Sequence, residues 1–181
     1  ASRGLGDVYK RQITDRFRFL DRSCLGPSQN AARLEGSKIF AKNFMERHQI
    51  PTARYQVFDD TDKALSYAKK LGPPLVVKAD GLAAGKGVVV AHTLAQAELA
   101  IRQLLDERRF DAAGDRVILE DFLTGEEASF ICLVSNDQVL PLATSQDHKA
   151  RDKGDKGPNT GGMGAYSPAP VITPPIYECI M

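Results

Sequence analysis

Two short apolar runs, Leu75-Val76-Val77-Lys78-Ala79 and Gly87-Val88-Val89-Val90-Ala91, enclose the segment Asp80-Gly81-Leu82-Ala83-Ala84-Gly85-Lys86. Brief β-branched runs bounded by turn residues read as buried strands. The spacing predicts a strand, loop, strand unit with Lys78 ending the first strand and Lys86 in the loop, which confines the chain to folds that contain a sheet. Small residues let a backbone close over a polyanion and point N–H groups inward. One ammonium about 4 Å from a phosphate charge is worth on the order of 4 kcal/mol near a protein surface. The spacing alone leaves a solvated hairpin with surface lysines equally open. Two familiar motifs are excluded: Asp80 and Gly87 stand where a P-loop needs glycine and Ser or Thr. Ser167 stands where Gly162-Met163-Gly164 needs the third glycine of a dinucleotide fingerprint.

Around this unit the period changes. A turn at Gly26-Pro27 precedes a helical stretch from about Asn30 to Gln49, with Ile39, Phe40, Phe44 and Met45 at helical spacing and Pro51 closing it. Tyr55, Val57 and Phe58 suggest a strand. Asp60 or Thr61 caps a helix whose Ala64, Leu65, Ala68 and Leu71 line one face and which ends at Gly72. Thr93 with Gln96 forms a capping box for a helix burying Ala97, Ile101, Leu104 and Leu105. Strands are expected at Arg116–Glu120, Glu127–Ser135 and Val139–Thr144. The polar stretch Ser145–Pro175 has no periodicity and reads as a long loop, a length that points to function or disorder. The fold class is α+β.

Composition narrows the partners. Of 181 residues, 43% are apolar and 26% charged, which excludes an intrinsically disordered chain. The 24 Lys and Arg nearly balance 23 Asp and Glu, whereas a nucleic-acid binder carries a clear basic excess. No apolar run approaches the ~20 residues of a membrane span. Cys24, Cys132 and Cys179 are widely spaced and read as reduced packing residues. His48 and His92 read as surface residues without a metal role. A soluble, cytoplasmic protein is expected, with neither nucleic acid nor membrane as partner. The first twelve residues lack apolar periodicity, join awkwardly to the segment after them, and read as a non-native or disordered leader.

Two further segments carry candidate chemistry. In Glu120-Asp121-Phe122-Leu123-Thr124-Gly125-Glu126-Glu127, a chain leaving a strand offers backbone groups that match an adenine edge, and Glu127 could accept from ribose hydroxyls. An acidic interstrand turn is the plainer alternative. Ser145 to Lys149 and Gly157 to Gly164 combine acid, base, amide and hydroxyl groups with a glycine run suited to close approach by a ligand. Asp147 could hold an amine, and Lys149 and Arg151 a phosphate or carboxylate. A flexible linker stays open as well.

Four blocks, LEGSK at Leu34–Lys38, VVKADGLAAGKGVVVA at Val76–Ala91, LEDFLTGEEASF at Leu119–Phe130 and ATSQDHKARDKGDKGPNTGGMGAYSPAP at Ala143–Pro170, resemble the phosphoribosylamine–glycine ligase family of the ATP-grasp superfamily. The resemblance runs from about Ile13 to the end, in order and with the family's spacing. It implies an ATP-grasp fold with a small antiparallel lid lobe and an incomplete central sheet lobe. The implied boundaries are a leader at 1–12, the end of an N-terminal domain with a linker helix at 13–54, the lid at 55–123 and a truncated central subdomain at 124–181. The implied reaction phosphorylates glycine with ATP. The amine of 5-phosphoribosylamine then displaces phosphate to give glycinamide ribonucleotide, a step of purine biosynthesis.

By the same resemblance, Lys38, Lys78, Gly85, Lys86 and Gly87 surround the ATP phosphates, Glu120, Asp121, Phe122 and Leu123 receive adenine, and Glu127 binds ribose. Asp147, His148, Lys149, Asn159, Thr160, Gly161 and Gly162 shape the pocket for glycine and phosphoribosylamine, with Lys78, Lys86, Asp147 and Lys149 carrying catalysis. Asp121 departs from the family's usual Glu, a change tolerated if only the backbone is read there. ATP and Mg2+ are the implied cofactors, with the metal ligands expected after Met181 and none within the chain. A segment of a longer enzyme with negligible turnover alone is therefore expected. Another ATP-grasp carboxylate–amine ligase and a non-catalytic nucleotide-binding module are the alternatives.

Overall fold

The computed structural model describes residues 13–81, 87–107, 114–154 and 156–181, with backbone alone for 149–150, 156–159 and 161. The chain divides into two compact units, Ala1–Leu123 and Thr124–Met181. No helix among the described residues is long and apolar enough to cross a membrane.

In the first unit, α1 (13–19), α2 (Arg33–Gly36) and α3 (Lys38–Arg47) precede β1 (Tyr55–Phe58), α4 (Thr61–Leu71), β2 (Leu75–Ala79), β3 (Val88–Ala91), α5 (Leu94–Leu105) and β4 (Val117–Asp121). The sheet order is β1-β4-β2-β3, with every neighbouring pair antiparallel. Strand alternation sorts the residues by face. Leu75, Val77, Ala79, Val117 and Leu119 point to one side and share a core with Ala64 and Ala68 of α4 and Ala97, Ala100, Ile101 and Leu104 of α5. Alanines on both helices bring the backbones close to the sheet. Lys78 and Glu120 fall on the opposite face.

The caps follow the sequence. Asp60 accepts from the Lys63 amide at 2.8 Å and Thr93 from the Gln96 amide at 3.2 Å. The reciprocal bond of the second cap goes from the His92 amide, not that of Thr93, to Gln96 Oε1 at 2.8 Å. Gly72 ends α4 with φ 76° and ψ 150°, a conformation that a Cβ disfavours.

The helix expected from Asn30 to Gln49 is broken at Ser37, whose extended backbone (φ −141°) and hydroxyl, accepting from the Phe40 amide at 3.1 Å, start α3 afresh. Leu105 is only partly buried. None of the three cysteines is buried: Cys24 and Cys132 are intermediate and Cys179 is exposed, so the expected packing role does not hold.

In the second unit, β5 (Cys132–Ser135) and β6 (Gln138–Pro141) form an antiparallel ribbon shorter than the expected strands, with Ser129 meeting Ser145 in a single bridge. Val134 and Leu140 stay 65% and 61% exposed, so ladder bonds rather than burial order this ribbon. The largest departure comes next. The expected loop over Ser145–Pro175 contains an antiparallel pair, β7 (Gln146–Asp152) and β8 (Lys156–Tyr166), and α6 (Pro174–Ile180) begins at its end. Backbone ladders need no apolar alternation, so a polar, glycine-rich hairpin escapes a search for hydrophobic period.

Candidate functional site

The site in the first unit is built where β2 runs out and α3 begins. Asp80, directly after β2, is 9% exposed. Its Oδ1 accepts from the Ser37 hydroxyl at 2.8 Å and from the Ile39 amide at 2.9 Å, and its Oδ2 from Arg116 Nη2 at 2.8 Å. The Lys38 amide donates to the Asp80 carbonyl at 3.0 Å. Asp80 thus satisfies the first two orphan N–H groups of α3, that of Lys38 through its carbonyl and that of Ile39 through its carboxylate, whose charge complements the positive end of the helix. The clamp sets Lys38 beside the hairpin, and its Nζ donates to the Gly81 carbonyl at 3.0 Å.

Burial pulls the Lys38 ammonium below the ordinary lysine value; Asp80 opposes that shift, and the charge of nearby Lys78 adds to it. Two cations on neighbouring elements repel each other in the free protein. An anion between them converts that repulsion into attraction. Gly87 closes the base of the hairpin, its carbonyl accepting from the Ala79 amide at 2.8 Å. Gly85 and Lys86 lie outside the described residues.

Lys78 and Glu120 share a face because β2 pairs with β4 in the register Lys78↔Ile118 and Val76↔Glu120, which makes them diagonal neighbours. Their side chains form an ion pair. Glu120 is 4% exposed and has a second cationic neighbour, Lys42 of α3, whose Nζ lies 2.6 Å from Oε2. That contact is outside hydrogen-bond alignment and is charge against charge. The aligned protons of Lys42 go to Thr52 Oγ1 at 2.7 Å and the Ala53 carbonyl at 3.2 Å. Lys42, Ser37 and Arg116 are absent from the sequence-based candidates. Lys42 had a signal: it stands three positions after Ile39 on α3, and those two residues are the buried ones of that helix.

Glu120 and Asp121 sit inside β4, flanked by β1 and β2, with the Asp121 amide donating to the Arg54 carbonyl at 3.0 Å. Phe122 and Leu123 follow the strand, outside the ladder. Phe122 stacks edge-on against His92 at 6.2 Å, and Leu123 is 67% exposed.

The other candidates belong to the second unit. Exposed Glu127 precedes β5, while Asp147, His148 and Lys149 lie on β7 and Asn159, Thr160, Gly161 and Gly162 on β8. Asp147 pairs with Ala165 and His148 with Gly164, and the His148 ring lies 5.4 Å from that of Tyr166. Thr160 Oγ1 accepts from the Gly162 amide at 3.0 Å, where φ of 126° needs glycine.

Gln146, 3% exposed, ties these pieces together. Its Nε2 donates to the Glu127 carbonyl at 3.1 Å, and its Oε1 accepts from the Tyr166 hydroxyl at 3.1 Å. Gln146 falls within the candidate segment Ser145–Lys149 but has no individual role in the sequence reading, because a single amide in a polar run has no distinguishing pattern. Among the described residues, no group of three His, Cys, Asp or Glu side chains converges.

Comparisons with known proteins agree with this architecture. The sequence pattern of the phosphoribosylglycinamide synthetase ATP-grasp (A) domain family matches residues 36–181. A phosphoribosylamine–glycine ligase of Allochromatium vinosum is 60% identical over 93% of this chain, and the chain spans 40% of that relative's length. The crystal structure of phosphoribosylamine–glycine ligase from Thermotoga maritima superposes with a TM-score of 0.73 at 38% identity, covering 80% of this chain and 37% of the other. D-alanyl-alanine synthetase A from Vibrio cholerae has a TM-score of 0.70 over 94% of this chain and 52% of its own, a likeness of fold alone at 17% identity. The family pattern covers well over half of the sequence, and the chain belongs to the phosphoribosylglycinamide synthetase ATP-grasp (A) domain family.

Proposed function

We propose that this chain supplies the nucleotide-binding part of a cytoplasmic, ATP- and magnesium-dependent ligase that joins glycine to 5-phosphoribosylamine. The observation that carries the reading is the placement of Lys38 and Lys78 on the two elements that meet at Asp80, with Lys38 bonded to the Gly81 carbonyl and its charge disfavoured by burial and, to a lesser extent, by Lys78. Such a pair offers a triphosphate two cations held by a helix start and a strand end. Positioned charge of this kind is the main means of catalysing phosphoryl transfer.

Residues 55–123 act as the lid and 124–181 as part of the central lobe. Lys38 and Lys78 hold phosphate oxygens, and the segment from Asp80 to Gly87, with Gly85 and Lys86, closes over them. The backbone of the Glu120–Leu123 segment, which leaves the ladder at Phe122, meets adenine, and Glu127 meets ribose. A glycine carboxylate oxygen attacks the γ-phosphorus and ADP leaves. The phosphoribosylamine nitrogen then attacks the acyl carbon, forming the amide and expelling phosphate. Asp147 and His148, with Lys149, Asn159, Thr160, Gly161 and Gly162, orient these two substrates. Magnesium, when bound, offsets charge on the phosphates; no described residue is assigned to it.

ATP titration of the 181-residue chain, with Lys78→Met alongside, tests the nucleotide site. Saturable binding that the substitution weakens supports it, and equal binding by both overturns it. Phosphate release requiring both glycine and phosphoribosylamine, from a polypeptide of the relatives' full length carrying this sequence, tests the reaction. Release with a different amine in place of phosphoribosylamine points to another ligase of the superfamily.

A further inference from the structure

The ion cluster on the second face of the first sheet contains one group that the proposed chemistry does not use. Lys42 is buried with its side chain 8% exposed, facing Glu120 at 6%, while Lys78, on the other side of that carboxylate, is 26% exposed. A buried lysine is costly unless its protons and charge are met. Here Thr52, Ala53 and Glu120 meet them, and the Tyr55 ring lies 5.4 Å from the ammonium.

Counting charges gives the cluster its direction. One carboxylate stands between two ammonium groups, so one positive charge is in excess, and Lys78 is the member that solvent reaches best. With Lys42 absent, the existing Lys78–Glu120 pair would be left neutral, and an arriving anion would have to separate it.

We propose that Lys42 is a positioning residue that occupies Glu120, so that the charge of Lys78 stays available to a phosphate anion. The proposal rests on the phosphate-binding reading of Lys38 and Lys78. Lys42 touches no ligand and acts through Glu120.

A strut that merely holds the 52–53 loop to α3 would involve the same contacts. The two roles separate when the carboxylate charge is removed as well. In the pair of substitutions Lys42→Met and Glu120→Gln, the bonds to Thr52 and Ala53 are still lost, yet Lys78 again carries an uncompensated charge.

The experiment titrates the 181-residue chain with inorganic tripolyphosphate by calorimetry at low salt, a probe without adenine or ribose. Lys42→Met is expected to weaken binding about tenfold or more, and Lys42→Arg to stay near the parent, because it keeps the charge. Adding Glu120→Gln to Lys42→Met is expected to bring affinity back to within about threefold of the parent. Circular dichroism reports whether each variant folds; if Lys42→Met alone does not, the double variant decides. Parent-like binding by Lys42→Met, or a double variant about tenfold weaker than the parent, overturns the proposal while leaving the phosphate site standing. A parent chain that binds no tripolyphosphate overturns the site and the proposal together.

Discussion

Asp80 is the residue on which the start of α3 depends, and replacing it offers a quantitative test of how the site is assembled. Asp80→Ala removes the acceptor of the Ser37 hydroxyl and the Ile39 amide and the partner of Arg116. Bonds to a buried charged acceptor are worth about 1.5–3 kcal/mol each. The Arg116 pair adds only about 0–1 kcal/mol, because solvent screens it, and that side chain is 52% exposed. The Lys38 amide bond to the Asp80 carbonyl survives, since it involves backbone alone. A loss of about 3–7 kcal/mol is expected for Asp80→Ala. Asp80→Asn keeps a carbonyl oxygen for Ser37 and Ile39 and should lose about half as much. Urea titration followed by hydrogen exchange at the Ile39 and Phe40 amides reads the effect in the first unit. Tripolyphosphate affinity should fall with it, as Lys38 loses its setting. A loss below about 1 kcal/mol with unchanged Ile39 protection would refute the clamp.

Lys38 makes binding pH-dependent. Its folded value lies below that of an unfolded lysine, so the unfolded chain binds more protons in that interval and stability rises with pH across it. A bound polyphosphate pulls the value back up. Affinity should therefore fall as pH rises through the free protein's Lys38 value, with proton uptake on binding, visible in calorimetry across buffers of different ionisation enthalpy. Affinity independent of pH there would contradict this. Gly72→Ala should cost about 1–3 kcal/mol through its left-handed φ alone, because a Cβ there meets nothing within 4 Å; thermal unfolding measures it. Gln146→Ala leaves the Tyr166 hydroxyl and Glu127 carbonyl without their partner. A loss of about 1–3 kcal/mol and faster proteolysis within 124–181 are expected, and an unchanged cleavage rate would count against the role given to Gln146.

Local chemistry made much of the first unit legible. Asp60 and Thr93 cap because a short side-chain oxygen reaches amides two or three residues on, and Leu75–Ala79 forms a strand because its β-branched run is bracketed by turn residues. The glycine-bearing segment and its flanking lysines could be singled out on the same grounds. The β7–β8 hairpin could not, because its sequence, with Gly157, Gly161, Gly162 and Gly164 among its residues, has no apolar alternation to give it a period.

Residues within a turn or two of one another are coupled by chain geometry, and that is why Ser37 beside Lys38, or Lys78 beside Asp80, could be read without coordinates. Contacts across long stretches of chain follow from strand register and helix docking, which depend on packing throughout the unit. Only the folded chain therefore revealed that Asp80 receives α3, that Glu120 lies between Lys42 and Lys78, and that Gln146 joins Glu127 to Tyr166. A shift of β4 by one residue against β2 would turn Glu120 to the helical face and disperse the cluster, with every amino acid unchanged.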